Sequence, residues 1–159
     1  MTLTARWLRL DSPRVMQSRS AAAGDSVDRP LAGATILLVE DEPDLRELLS
    51  ETLSHHGAKV CAAASAEEAL SALDGIRADA LVADIGLPGI DGIEMVRIVR
   101  QRSLDLGGAM PAIALTGYAR PEDRDEVLDA GYHMHLTKPV DGTSLVTALS
   151  ALLRRQSAR

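Results

Sequence analysis

From Ala32 onward, five short apolar runs alternate with amphipathic stretches of helix length, and this alternation constrains the fold more than any other feature. Glycine, proline or a helix-capping residue marks each boundary. Because parallel strands need a long crossover between them, usually a helix, the pattern predicts repeated strand–helix units. The predicted strands are Thr35–Val39, Lys59–Ala62, Ala80–Ala83, Ala112–Leu115 and His133–Leu136.

The composition of the runs predicts the order of the strands. Runs one, three and four are apolar throughout, as strands covered on both faces must be, whereas runs two and five include Lys59, His133 and His135. With the polar runs at the edges and right-handed crossovers, we expect a doubly wound α/β fold. It has a five-stranded parallel sheet in the order 2-1-3-4-5, of the flavodoxin-like type, with helices on both faces.

The predicted helix after Pro121 differs from the others because it is mostly acidic. Only three apolar residues are available to hold it against the sheet, and we expect it to be weakly anchored. These residues are Val127, Leu128 and Ala130.

The length of 159 residues suits one domain. Residues 1–31 lack a sustained hydrophobic period and are predicted to be a flexible tail or linker. Residues 32–154 are predicted to be the domain and residues 155–159 a C-terminal tail.

No window approaches the roughly 20 apolar residues of a membrane helix, so we expect no membrane span. A single cysteine, Cys61, is typical of a reducing compartment and favours a cytoplasmic location.

The distribution of charge argues against nucleic acid as a direct partner. Residues 1–31 carry five Arg and three Asp, while the rest of the chain has a net charge of −8. Attraction to phosphate supplies most of the affinity for nucleic acid, so an acidic body binds it poorly. Aromatic residues make up only 2% of the chain, which leaves little for base stacking.

Polar side chains follow four of the predicted strands and should meet at one edge of the sheet. In such a sheet, ligands bind outside the carboxyl ends of the strands, near the point where the strand order reverses. The residues at these positions are Glu40, Asp41, Asp84, Thr116 and Lys138.

The three carboxylates predict a cation site. Two carboxylates about 4 Å apart repel by roughly 4 kcal/mol at an effective dielectric constant near 20, so a group of three needs protons or a cation. Oxygen ligands without Cys or His favour Mg²⁺, which also binds phosphate oxygens. Lys138 offers a positive charge to a phosphoryl group and Thr116 a hydroxyl donor, and a carboxylate beside the metal can act as a nucleophile.

Four segments, in this order and spacing, resemble the receiver domain of two-component response regulators. They are ILLVEDEPDLRELL, LVADIGLPGIDG, AIALTGY and HLTKPV. The resemblance covers Ala32 to about Leu153, which is nearly all of the chain outside the predicted N-terminal tail.

The resemblance implies a role for each residue of the predicted site. Asp84 would be the phosphoacceptor, with Asp41 binding Mg²⁺ directly, Glu40 binding it through water and the Gly86 carbonyl completing the protein ligands. Two further positions would contact the phosphoryl group, and a third would shape the segment after the fifth strand. Thr116 would be the switch hydroxyl, Lys138 would contact phosphoryl oxygens, and Pro139 would follow a cis peptide bond.

The resemblance also implies partners. The phosphoryl donor would be a phosphohistidine on a sensor histidine kinase or a histidine phosphotransfer protein. The output would be a shift of the face formed by the fourth helix, fifth strand and fifth helix, which could bind a downstream protein or a second copy. The family often has an aromatic residue three positions before the lysine, and here that position is His135. The chain is expected to be a signalling domain rather than an enzyme.

Three other functions use a similar fold or a similar acidic site. A receiver-shaped docking module that never takes phosphate would share the fold. A magnesium-dependent phosphatase of the haloacid dehalogenase type would need a second Asp two residues after Asp84, where this chain has Gly86. A carrier of flavin mononucleotide would need hydroxyl and amide donors after the first strand, where Glu40, Asp41 and Glu42 repel phosphate.

Overall fold

The computed structural model describes residues 29–117 and 120–158, in which strands and helices alternate. The strands are β1 (Thr35–Val39), β2 (Lys59–Ala63), β3 (Ala80–Asp84), β4 (Ala112–Thr116) and β5 (Met134–Thr137). The α-helices are α1 (Pro43–His55), α2 (Ala66–Ala72), α3 (Gly92–Arg100), α4 (Pro121–Ala130) and α5 (Gly142–Ser157), and a 3-10 helix spans Leu104–Leu106. Within these described ranges, no helix is long and apolar enough to cross a membrane.

The strands form one parallel sheet in the order β2-β1-β3-β4-β5, which confirms the predicted architecture. The predicted ends of β2, β3, β4 and β5 are each one residue short, and β5 begins one residue later than predicted. Asp84 pairs with Leu115 and Thr116 pairs with Thr137, so the ladder includes two of the predicted site residues as strand termini. Their backbones are therefore fixed by the sheet rather than by a loop.

The sheet separates two apolar cores because successive side chains of a strand point to opposite faces. On one face, Leu37 and Leu81 pack with α2, α3 and α4. On the other face, Ile36 and Val82 pack with α1 and α5. Residues of β1, β3 and β4 are buried from both sides, as their apolar sequences predicted.

Helix α4 is held by fewer side chains than the sequence suggested. Val127 and Ala130 are buried, but the prediction that Leu128 also faces the core is wrong, since its side chain is 37% exposed. In contrast, α5 buries six residues. The two helices therefore differ greatly in how firmly the core holds them.

The predicted domain boundaries need correction at both ends. Most of the predicted N-terminal tail, residues 1–28, lies outside the described residues, but Leu31 is fully buried and its N–H bonds the carbonyl of His56 at 3.0 Å. At the other end, α5 continues through Ser157 into the predicted tail. Arg154 and Arg155 are good helix formers, and their charge favours the last turn of a helix.

Candidate acidic site at the carboxyl end of the sheet

The three predicted carboxylates meet at the carboxyl ends of β1 and β3. Glu40 and Asp41 follow β1 directly, and Asp84 is the last residue of β3. Each offers an oxygen atom that lies within 4.8 Å of those of the other two. The parallel pairing of β1 with β3 sets this spacing, because it brings the ends of the two strands side by side.

Lys138 reaches the same cluster from the segment after β5. Its Nζ lies 2.8 Å from Glu40 Oε1 and 3.1 Å from Asp84 Oδ2. The Glu40 side chain is fully buried, whereas the Lys138 side chain is 24% exposed. One ammonium group therefore bridges two carboxylates that belong to different strands.

Burial and charge together shift the ionisation of this pair. Burial raises the pKa of the Glu40 carboxyl, and the hydrogen bonds from Lys138 and from the Glu42 N–H offset this only in part. Burial alone would lower the pKa of Lys138, but hydrogen bonds to Glu40 and Asp84 outweigh it and the pKa is raised. The lysine is therefore held in its charged form by its two acidic partners.

Backbone amides bind the second carboxylate oxygen of Glu40 and of Asp84. The Glu42 N–H donates to Glu40 Oε2 at 3.1 Å, and the Gly86 N–H donates to Asp84 Oδ1 at 3.0 Å. Glu40 and Asp84 thus each direct one oxygen to Lys138 and the other to an amide. This arrangement fixes both carboxylates in orientation before any ligand is present.

Arg46 is a residue of the site that sequence reasoning missed. Its guanidinium Nη1 donates to the carbonyl oxygens of Glu40 at 2.9 Å and Asp41 at 3.4 Å. These hydrogen bonds hold the backbone of Glu40 and Asp41 against the first turn of α1. The sequence does contain a signal, since Arg46 lies near the start of a helix, where the dipole disfavours a cation.

The other predicted site residues lie at the same edge. Thr116 ends β4 with only 6% of its surface exposed, and its carbonyl accepts the Lys138 N–H at 2.7 Å. Gly86 is exposed, two residues beyond Asp84. The Lys138–Pro139 peptide bond is cis, as predicted.

The two histidines near β5 have separate surroundings. His133 precedes the strand, and its Nδ1 accepts the Ala112 N–H at 3.1 Å. His135 is half-buried on β5 and lines a surface cavity of about 400 Å³ beside α4. Arg120, Arg124 and Leu128 also line this cavity.

The side chains of the acidic cluster fit a hard divalent cation. The available ligands are carboxylate oxygens from Glu40, Asp41 and Asp84, which is the set that Mg²⁺ prefers. The exposed side of the cluster at Asp41 leaves room for water or a phosphate oxygen, which Mg²⁺ usually retains as ligands. The site therefore favours Mg²⁺ over softer transition metals.

Comparison with known proteins places the chain in one family. Residues 36–150 match the response regulator receiver domain. The chain is 40% identical over 126 residues to the transcriptional regulatory protein TcrA of Mycobacterium tuberculosis, an alignment that covers 79% of this chain and 48% of TcrA. The chain belongs to the receiver domain family, whose members are signalling modules of two-component systems rather than enzymes in the usual sense.

Two further relatives show how far the similarity extends. A 14.6 kDa protein from the sodA1 3′ region of Leptolyngbya boryana, itself uncharacterised, is 47% identical over 116 residues, or 73% of this chain and 87% of that one. The structure of the Vibrio cholerae chemotaxis protein CheY4 superimposes with a TM-score of 0.71 and 30% identity, covering 76% of this chain and 99% of that chain. The chain spans about half the length of TcrA.

Proposed function

We propose that this receiver domain accepts a phosphoryl group on Asp84 from a phosphohistidine of a sensor histidine kinase or a histidine phosphotransfer protein. The observation that carries the proposal is the Lys138 ammonium bridging Glu40 and Asp84 at 2.8 and 3.1 Å, with Asp41 beside them. A buried group of like charges with one lysine costs stability in an ordinary protein interior. It suits a site that binds a metal ion and a phosphoryl group.

The proposed transfer moves the phosphoryl group from the donor histidine to Asp84. A carboxylate oxygen of Asp84 attacks the phosphorus atom, and a phosphorus–oxygen bond forms while the phosphorus–nitrogen bond of the donor imidazole breaks. The bonding electron pair stays on the imidazole nitrogen, which takes a proton from water. Mg²⁺ would be held by Asp41, Asp84 and the Gly86 carbonyl, with Glu40 binding it through water, and would supply charge stabilisation to the phosphoryl oxygens.

Two further residues act on the phosphoryl group once it is bound to Asp84. Lys138 already contacts Asp84 at 3.1 Å and provides a positive charge to the phosphoryl oxygens. Thr116 lies at the end of the neighbouring strand and provides a hydroxyl donor that follows the group. Water that enters the site would later hydrolyse the acyl phosphate and return the free carboxylate.

The output face in this proposal consists of α4, β5 and α5. The sparse burial of α4 allows it to shift when Thr116 or Lys138 changes position, because only Val127 and Ala130 must repack. The cavity beside His135 and the exposed Leu128 lie on this face. A downstream protein or a second copy of the chain would bind there in the phosphorylated state.

The test is chemical labelling of the intact chain. We expect acetyl phosphate with Mg²⁺ to add one phosphoryl group to the wild-type protein, measured by intact mass, and we expect no gain without Mg²⁺. Asp84→Asn removes the nucleophile and should abolish the gain.

The matched control is Asp79→Asn, which alters the aspartate just before the opposite end of β3. It should be labelled like the wild type. Equal labelling of Asp84→Asn would show that another residue is the acceptor. A wild-type chain that takes no phosphoryl group would favour a docking module instead.

A further inference from the structure

Tyr132 is a buried aromatic residue that none of the functional assignments uses. It lies between α4 and β5, is 3% exposed, and its hydroxyl donates to the carbonyl of Gly92 at 2.8 Å. Gly92 is the first residue of α3, and 40 positions separate the two partners in sequence. A buried hydroxyl with one well-formed hydrogen bond to a distant helix start fixes the two segments relative to each other.

Gly92 in turn abuts the phosphoacceptor strand. Its N–H bonds the Ile85 carbonyl at 3.0 Å, which closes the loop between β3 and α3. A Cβ atom at Gly92 would lie 2.5 Å from the Asp84 carbonyl oxygen and 2.8 Å from Ile85 Cα, so only glycine allows this approach. The start of α3 is therefore pressed against the backbone of Asp84 itself.

The other end of α3 forms hydrogen bonds with Gly131, the residue before Tyr132. Arg100 donates to the Gly131 carbonyl through Nε at 2.9 Å and through Nη2 at 2.7 Å. Gly131 has a φ of 132°, and a Cβ there would lie 2.8 Å from Arg100 Cγ. Two consecutive residues are thus bound by the two ends of one helix, and α3 forms a rigid unit with the segment that leads into β5.

We propose that Tyr132 is a positioning residue for the phosphoacceptor site. Its hydroxyl holds the start of α3 against the end of β3, and this keeps Asp84 oriented toward Glu40, Asp41 and Lys138. The same hydrogen bond joins the acceptor loop to the segment between α4 and β5. The inference rests on the proposed function, because it assigns Tyr132 to the metal and phosphoryl site at Asp84.

The test compares Tyr132→Phe with wild type in two measurements on the metal-free chain. The first is the dissociation constant for Mg²⁺ by titration calorimetry, which we expect to rise about two- to tenfold, the range that loss of one such hydrogen bond permits. The second is amide hydrogen exchange at Gly92, whose N–H closes the acceptor loop, and we expect it to become faster.

Val99→Ala is the matched control. Val99 is buried on the same helix, and its truncation lowers stability while leaving both partners of the Tyr132–Gly92 hydrogen bond in place. The control should bind Mg²⁺ like the wild type even if it unfolds more easily. A merely structural role of Tyr132 predicts instead that both variants change Mg²⁺ binding according to their loss of stability.

Two outcomes overturn this inference alone. One is an unchanged Mg²⁺ dissociation constant in Tyr132→Phe, and the other is an equal rise in Val99→Ala. A wild-type chain that binds Mg²⁺ but takes no phosphoryl group from acetyl phosphate contradicts the proposed transfer. In that case, weaker Mg²⁺ binding in Tyr132→Phe alone would still support the positioning role.

Discussion

Acidic residues at the two ends of the parallel sheet differ in their burial and in their hydrogen-bond partners. At the amino end, Asp79 exchanges hydrogen bonds with Thr35, since its Oδ2 accepts the Thr35 N–H at 2.7 Å and its own N–H donates to the Thr35 carbonyl at 2.7 Å. Asp79 remains exposed to water. At the carboxyl end, Glu40 and Asp84 are buried beside each other and share one lysine.

This difference separates an aspartate with a structural contact from the cluster that we propose to be functional. Asp79 satisfies one backbone group and keeps its charge hydrated, so its contact is accounted for by the fold alone. The carboxyl end collects three carboxylates that repel one another, an arrangement that folding does not require. A groove of about 680 Å³ lies at the amino end, but its lining includes Arg77 and Arg154 beside Asp79 and gathers no comparable cluster of one charge sign.

Among these substitutions, replacement of Lys138 should lower the free energy of unfolding most. Lys138→Met leaves Glu40 and Asp84 buried without their cation, and we expect the free energy of unfolding to fall by about 3 kcal/mol in the absence of metal. Urea unfolding at neutral pH with a chelator measures this. Lys59→Met changes the chain's other lysine, which is exposed on β2, and should lower the free energy of unfolding by no more than about 1 kcal/mol, the upper range for an exposed ion pair.

A divalent cation should stabilise the carboxyl end selectively. At a Mg²⁺ concentration ten times the dissociation constant, the proposed Mg²⁺ site predicts a rise of about 1.4 kcal/mol in the free energy of unfolding, because an ion that binds only the folded state stabilises it. Asp41→Asn should reduce this gain and Asp79→Asn should not, as urea unfolding with and without Mg²⁺ would show. Equal gains in both variants would mean that the ion acts elsewhere.

The smallest effect is expected from the amino end itself. Asp79→Ala removes one exposed hydrogen bond to Thr35, and we expect a loss of about 1 kcal/mol in the free energy of unfolding. Labelling by acetyl phosphate should continue at the wild-type rate. Slower labelling would show that the two ends are coupled and would weaken the contrast between them.

Much of the site could be predicted from the sequence because it depends on strand ends. Glu40, Asp84 and Thr116 follow apolar runs, and parallel strands bring their carboxyl ends to one edge. Arg46 and Tyr132 were not predicted, since an arginine or a tyrosine in a helical or loop segment has many possible partners. Their contacts are with backbone carbonyls, so the sequence does not show which groups they bind.

The predictions for α4 and for the domain ends failed for a related reason. Leu128 lies among acidic residues and was assigned to the core by elimination, yet the face that α4 presents depends on its packing against α3 and β5. Leu31 was grouped with the tail by composition, although it fills the core beside α1. Local composition does not specify which apolar side chains are buried in the core.

The sequence by itself determined the order of the strands and the identity of the acidic cluster, because apolar periodicity decides which strands are covered on both faces and chain order decides which residues follow them. The tertiary structure alone decided that one lysine bridges Glu40 and Asp84, and that the Tyr132 hydroxyl donates to the Gly92 carbonyl at the start of α3. These contacts join positions 98 and 40 residues apart. Such distances are fixed only when both cores pack around the sheet.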